Sequence, residues 1–180
     1  MKWNDFTHNN VVYGLAHLHP FEWKYTAAGV EGKRPERTYN FHVTFSMHCF
    51  SRDPIAGEKI DDNLWYTGPK ESRLFCFDRH EYSKQLPGII RSLGERACWH
   101  THHGNFFTIE VTTKDGEKVE YEVYFDITRS SRKGEWLNLV IESAYVRTDN
   151  YKSAQPRKRK IGLHVIAYNK RSGKSIRPGR

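Results

Sequence analysis

The sequence has no long hydrophobic run and only a few sulfur-containing residues. No stretch approaches the roughly 18 consecutive apolar residues that a membrane-spanning helix needs, so no membrane partner is predicted. The first ten residues, MKWNDFTHNN, lack the apolar segment of a secretory signal. The three cysteines, Cys49, Cys76 and Cys98, are too few and too far apart for a disulfide framework. Together these absences predict a reduced, cytoplasmic protein.

Acidic residues are scarce in the last part of the chain. Residues 129–180 hold 14 of the 29 Lys and Arg but 3 of the 21 Asp and Glu, which gives them a net charge of +11 against −3 elsewhere. Because clustered cations attract phosphates and release counterions on binding, this asymmetry predicts RNA or another nucleic acid as partner. A merely soluble basic arm is the alternative. The residues predicted to contact nucleic acid are Lys152, Arg157, Lys158, Arg159, Lys160, Lys170 and Arg171.

The length predicts one domain over residues 1–168, followed by a flexible basic tail at 169–180. From residue 105 onward apolar and polar residues alternate, as in β-strands, and Asp115-Gly116 is typical of a two-residue hairpin turn. The whole stretch up to residue 168 is therefore predicted to form an antiparallel meander.

Residues 78–96 carry an apolar stripe at helical spacing, which Pro87-Gly88 interrupts. We expect one kinked helix or two short ones there. The predicted fold class is α+β: a twisted antiparallel β-sheet of about five strands in a meander, with one face covered by this helix and the N-terminal segment.

A row of polar side chains follows the predicted strand 41–52, FHVTFSMHCFSR. Side chains alternate across a strand, so the apolar residues face one side and His48 and Arg52 share the other. A solvated face explains such a row as well as a functional one does. This row of polar residues indicates a functional site only if other segments place matching residue types beside it.

The predicted strand 136–148 offers such groups. Leu137, Leu139 and Ile141 lie on one face, which continues as Ser143, Tyr145 and Arg147 unless a β-bulge near Glu142 swaps the faces. IGLHVIAYN, residues 161–169, is predicted to be the closing strand and carries His164.

These residue types suit metal-free RNA cleavage. A base takes the 2′-hydroxyl proton, an acid protonates the leaving 5′-oxygen, and a cation stabilises the charge on the phosphate oxygens. Histidine titrates near neutrality, and arginine binds phosphate through paired donors. The predicted catalytic residues are His48, Arg52, Tyr145, Arg147 and His164. Glu142 is an alternative base if the local register exposes it, and Arg79 is predicted to be structural.

The segment CWHTHH, residues 98–103, contains four potential zinc ligands: Cys98, His100, His102 and His103. No second ligand pair with a known spacing follows elsewhere, so we expect neither a metal nor a cofactor, and a metal-dependent nuclease is the minor alternative.

The segment YEVYFDITRSSRKGEWLNLVIESAYVRT, residues 121–148, resembles the active hairpin of the barnase–EndoU–colicin–RelE superfamily of metal-independent ribonuclease toxins. The resemblance extends by pattern over about residues 74–168. It implies RNA cleavage through the 2′-hydroxyl and an antidote protein, which for this chain would be acidic. Two other functions stay open: a non-catalytic nucleic-acid-binding accessory protein, and an interaction protein that docks on an acidic partner.

Overall fold

A computed structural model describes residues 1–101, 104–114, 116–147 and 159–176 of the chain. Its β-strands and α-helices have the following bounds: β1 Phe6–His8, β2 Val11–Tyr13, β3 Phe21–Ala27, β4 Arg37–Phe45, β5 Ser51–Arg52, β6 Trp65–Thr67, β7 Ser72–Phe75, α1 Phe77–Ser83, α2 Leu86–Arg91, β8 Cys98–His100, β9 Phe106–Lys114, β10 Glu117–Arg129, β11 Leu137–Val146, β12 Arg159–Ile161 and α3 Leu163–Arg171.

The main sheet has seven strands in the described part of the chain, in the order β12-β8-β9-β10-β11-β4-β3. Its neighbours are antiparallel except β11 and β4, which run parallel with Leu137 beside Phe41 and Ile141 beside Phe45. The α+β class is confirmed, but the prediction of about five strands, all antiparallel, is wrong. About 90 residues separate β4 from β11, and a meander of short turns cannot make a parallel pair.

The predicted hairpin between β9 and β10 is confirmed, since Lys114 pairs with Glu117 and Gly116 has a φ of +85°. A separate sheet has the order β5-β7-β6, and β1 pairs with β2. Within the described ranges, no helix is long and apolar enough to cross a membrane.

One apolar core joins the main sheet, the helices and the N-terminal segment. Alternate residues of β4, including Phe41 and Val43, are buried in it. Two short helices form, which is one of the two outcomes expected, because Pro87 lies in the first turn of α2, where a backbone N–H is not needed. The kink or break expected at Pro87-Gly88 is therefore confirmed.

Residues 163–171 form helix α3, so the prediction of a closing strand there is wrong beyond Ile161. The sequence fits both the period of two of a strand and the period of 3.6 of a helix. Leu163, Ile166 and Ala167 follow helical spacing and are buried together. His164 consequently lies on a helix, and α3 continues through Arg171.

The predicted strand 41–52 also divides. β4 ends at Phe45, and the side chain of Ser46 accepts a hydrogen bond from the backbone N–H of His48 at 3.2 Å, which starts a 3-10 helix over Met47–Cys49. His48 thus leaves the main sheet, and Arg52 lies on β5 of the smaller sheet.

Candidate functional site

A β-bulge in β11 decides which residues face the candidate site. Tyr124 of β10 pairs with Ser143 and Phe125 pairs with Ile141, so Glu142 is the extra residue. The residues of β11 after Glu142 therefore lie on the face opposite to the one that simple alternation predicts, as in the alternative interpretation of the sequence. Glu142 itself accepts a hydrogen bond from Asn105 Nδ2 at 2.5 Å.

The bulge brings to one face four polar side chains, which belong to β10, to β11 and to the residue directly after β11. Arg147 Nε donates to Glu122 Oε1 at 3.0 Å and Arg147 Nη2 donates to Glu122 Oε2 at 2.9 Å, which makes a bidentate pair. The Tyr124 hydroxyl donates to the same carboxylate at 2.8 Å. The Glu122 side chain is fully buried, whereas that of Arg147 is 21% exposed. We call Glu122, Tyr124, Tyr145 and Arg147 the Glu122 centre.

The Glu122 centre shifts the pKa values of its members. The hydrogen bonds to Glu122 raise the pKa of the Arg147 guanidinium, although partial burial opposes this. Burial, and then the hydrogen bond to Glu122, raise the pKa of Tyr124. Arg147 therefore keeps its charge, and Tyr124 keeps its proton at neutral pH.

Arg79 of α1 connects this centre to the segment around His48. Its Nη1 donates to the carbonyl oxygens of His48, at 3.0 Å, and of Ser51, at 2.7 Å. Its guanidinium carbon lies 5.2 Å from the ring centroid of Tyr145, within cation–π range. From the sequence, Arg79 could either point to the phosphate site or pair with Glu81 or Asp78, and the structural role was favoured.

The side chain of His48 points to a carboxylate that sequence reasoning missed. Its Nε2 lies 2.9 Å from Glu71 Oε1, and the two side chains are 37% and 45% exposed. Arg73, whose Nη1 contacts Asp53 at 2.7 Å, lies 3.7 Å from the other Glu71 oxygen. A carboxylate beside a histidine orients the ring, which suits acid–base work.

Arg52 is held by a different carboxylate. It makes a bidentate ion pair with Glu58, in which Arg52 Nη1 donates to Oε2 at 2.8 Å. The hydrogen bonds from Arg52 lower the pKa of Glu58 to about 2. The structure therefore places Arg52 in an ion pair with Glu58, within the 51–58 segment.

His164 lies at the start of α3 and lines a cavity of about 320 Å³ with Arg34, Arg37 and Tyr168. Burial, and then the charge of Arg34, lower its pKa. This cavity is bounded by residues 33–35, β4 and α3, and it contains none of the other four predicted catalytic residues.

The predicted nucleic-acid contacts are only partly described. Lys152, Arg157 and Lys158 lie outside the described residues, while Arg159 and Lys160 lie on β12, at an edge of the main sheet. Two others already have carboxylate partners: Lys170 Nζ contacts Asp126 at 3.0 Å, and Arg171 Nη1 contacts Glu135 at 3.4 Å.

A metal site at residues 98–103 finds no support in the described part of the chain, where no group of three His, Cys, Asp or Glu side chains could hold an ion. Burial raises the pKa of Cys98 to about 12, so its thiol keeps its proton. The other two predicted ligands, His102 and His103, lie outside the described residues.

The fold and the site define an α+β protein whose mixed sheet carries a buried carboxylate–guanidinium pair at a bulge. Residues 5–171 match the model of the YjaZ family, and the chain belongs to that family. It is 33% identical over 171 residues to Protein YjaZ of Escherichia coli strain K12, which covers 93% of this chain and 90% of that protein. No solved structure matches significantly.

Proposed function

We propose that this protein is a toxin-like, metal-independent ribonuclease that cleaves RNA at the surface between His48 and Tyr145. One observation carries the proposal: Arg79 binds the main chain at His48 and covers the ring of Tyr145. A phosphate next to this guanidinium would lie beside one acid–base candidate from each of two distant segments.

In this mechanism His48, oriented by Glu71, takes the proton from the 2′-hydroxyl. The 2′-oxygen attacks phosphorus, and the bond to the 5′-oxygen breaks. The Tyr145 hydroxyl, which lies 3.4 Å from Arg147 Nη2, gives its proton to the leaving 5′-oxygen. Arg79 stabilises the charge on the phosphate oxygens, Arg147 positions the Tyr145 hydroxyl, and the products are a 2′,3′-cyclic phosphate and a 5′-hydroxyl.

Cleavage of a labelled RNA oligonucleotide in EDTA tests the proposal. We expect His48→Gln to slow cleavage by about 10²-fold or more, because general acid–base catalysis contributes that much. A DNA oligonucleotide of the same sequence should stay intact, since it has no 2′-hydroxyl. An acidic antidote protein, if the cell makes one, should co-purify and inhibit cleavage.

His42→Gln is the matched control, because His42 is a histidine of the same segment that lies on β4, opposite Asn138 of β11 and Glu22 of β3. It should cleave at the wild-type rate. The proposal fails if the wild-type protein leaves RNA intact, or if His48→Gln cleaves as fast as His42→Gln.

Binding of nucleic acid without cleavage is a second candidate. Two of the predicted phosphate ligands, Arg52 and Arg147, already hold Glu58 and Glu122, which compensates their charge. A gel-mobility shift that weakens with salt, together with intact RNA, would favour this function.

A further inference from the structure

The cavity at His164 has the features of an anion site that the ribonuclease proposal does not use. Ala27, Pro35 and Val165 line it together with six polar or aromatic residues, which we call the basic pocket: Lys33, Arg34, Arg37, Tyr39, His164 and Tyr168. The volume of about 320 Å³ falls within the usual range for small-molecule sites. Three of the six side chains carry a permanent positive charge.

Arg34 provides the strongest indication of a ligand. Its Nε and Nη1 atoms are buried and make no hydrogen bond to any described part of the protein. Burying charged donors without a partner is costly, so they suit an anion that occupies the cavity. The backbone of Arg34 is fixed by hydrogen bonds with Val30 in both directions, at 2.8 and 2.9 Å.

Aromatic rings contact three cations in and beside the pocket. The guanidinium carbon of Arg37 lies 4.3 Å from the ring centroid of Tyr168, and Lys174 Nζ lies 5.5 Å from the same centroid. Arg171 lies 4.7 Å from the ring of Tyr39. A cation–π contact orients a cation without cancelling its charge. Among these cations, Arg171 also forms an ion pair with Glu135, at 3.4 Å.

We propose that the basic pocket binds the phosphate group of a phosphate ester. Arg34 and Arg37 supply planar donors that match phosphate oxygens, and Lys33 adds a point charge. The His164 ring lies at the same wall and adds a donor. Such a phosphate could belong to a free small molecule or to a nucleic-acid strand, and the pocket chemistry is the same for both.

Isothermal titration of the full-length protein tests the proposal with three probes: inorganic phosphate, AMP and a ten-nucleotide DNA without terminal phosphates. We expect AMP to bind, and Arg34→Ala to weaken its binding by about tenfold or more, as for a lost charged hydrogen bond. Binding of AMP but not of the DNA identifies a free phosphate ester as the source. Tighter binding of the DNA, again lost in Arg34→Ala, identifies the nucleic-acid backbone.

Lys118→Ala is the matched control, since Lys118 is an exposed cation of β10 that does not line the pocket. It should bind the probes like the wild-type protein. Thermal unfolding checks that Arg34→Ala is folded, and Arg37→Ala serves as the second variant if it is not. Absence of binding by all three probes would overturn the proposal, as would unchanged binding in both arginine variants. His48→Gln should keep full AMP binding, which separates this site from the ribonuclease proposal.

Discussion

The Glu122 centre and the basic pocket use arginine in opposite ways. Arg147 donates hydrogen bonds to a fully buried carboxylate, so its charge is compensated and its position is fixed. Arg34 has buried donors with no described partner, and Arg37 lies over an aromatic ring. The first arrangement suits precise orientation of reacting groups, whereas the second suits capture of an anion by electrostatic attraction.

The two histidines show the same contrast. His48 contacts a carboxylate, that of Glu71, while His164 has Arg34 as its charged neighbour. A carboxylate orients the ring for proton transfer. Burial, and then the Arg34 guanidinium, disfavour the protonated His164 ring and lower its pKa.

The largest effect that distinguishes the two regions concerns stability. Glu122→Ala should lower the free energy of unfolding by about 3–5 kcal/mol, because it leaves the Arg147 guanidinium partly buried without its carboxylate. Arg34→Ala should leave the stability almost unchanged or raise it slightly, because it removes an unsatisfied cation from a positive cluster. Urea-induced unfolding of both variants measures the difference.

Glu22→Ala is the control for loss of a carboxylate, because the Glu22–Arg132 pair is 56% and 50% exposed. It should cost less than about 1 kcal/mol. The contrast between the regions breaks down if Glu122→Ala costs no more than Glu22→Ala.

Local features of the fold could be predicted from the sequence, and long-range pairing could not. The Asp-Gly hairpin, the break at Pro87 and the bulge at Glu142 each depend on a few neighbouring residues. The parallel pairing of β4 with β11 depends on segments about 90 residues apart, which no local pattern relates. α3 was missed because residues 161–169 satisfy both a strand and a helix period, and burial of Leu163, Ile166 and Ala167 together decides for the helix.

The candidate site was predictable only in part for a similar reason. Tyr145 and Arg147 share a strand, so their common face followed from alternation once the bulge was allowed. Their partner Glu122 and the bridging Arg79 come from other elements, and only the folded chain brings them together. Of the predicted catalytic residues, Arg52 is held by Glu58 in the same 51–58 segment and His164 lies on a helix, so a period of two could not indicate the position of either.

The next prediction compares how ionic strength affects ligand binding to the basic pocket and the stability of the Glu122 centre. Raising the salt concentration from 50 to 500 mM should weaken AMP binding to the basic pocket on the order of tenfold, because salt screens the attraction between the open cations and phosphate. The stability that the Glu122–Arg147 pair contributes should change little, since buried pairs are screened much less. Calorimetry and unfolding of wild-type protein and Glu122→Ala at both salt concentrations measure the two responses. Equal sensitivity in both regions would contradict the division into paired and open charges.

The smallest effect is a shift in one titration. Burial and Arg34 hold the pKa of His164 below its usual value of about 6.5, so Arg34→Ala should raise this pKa, and Lys118→Ala should not. In the wild-type protein the folded state binds fewer protons at His164 than the unfolded state does, so this residue makes stability fall as the pH decreases from about 6.5 through the lowered pKa. Addition of AMP should raise the pKa of His164, because the phosphate offsets the charge of Arg34 that acts on the ring. NMR titration of the His164 ring follows both shifts; an unchanged pKa in Arg34→Ala would mean that burial alone sets it and that the guanidinium does not act on this ring.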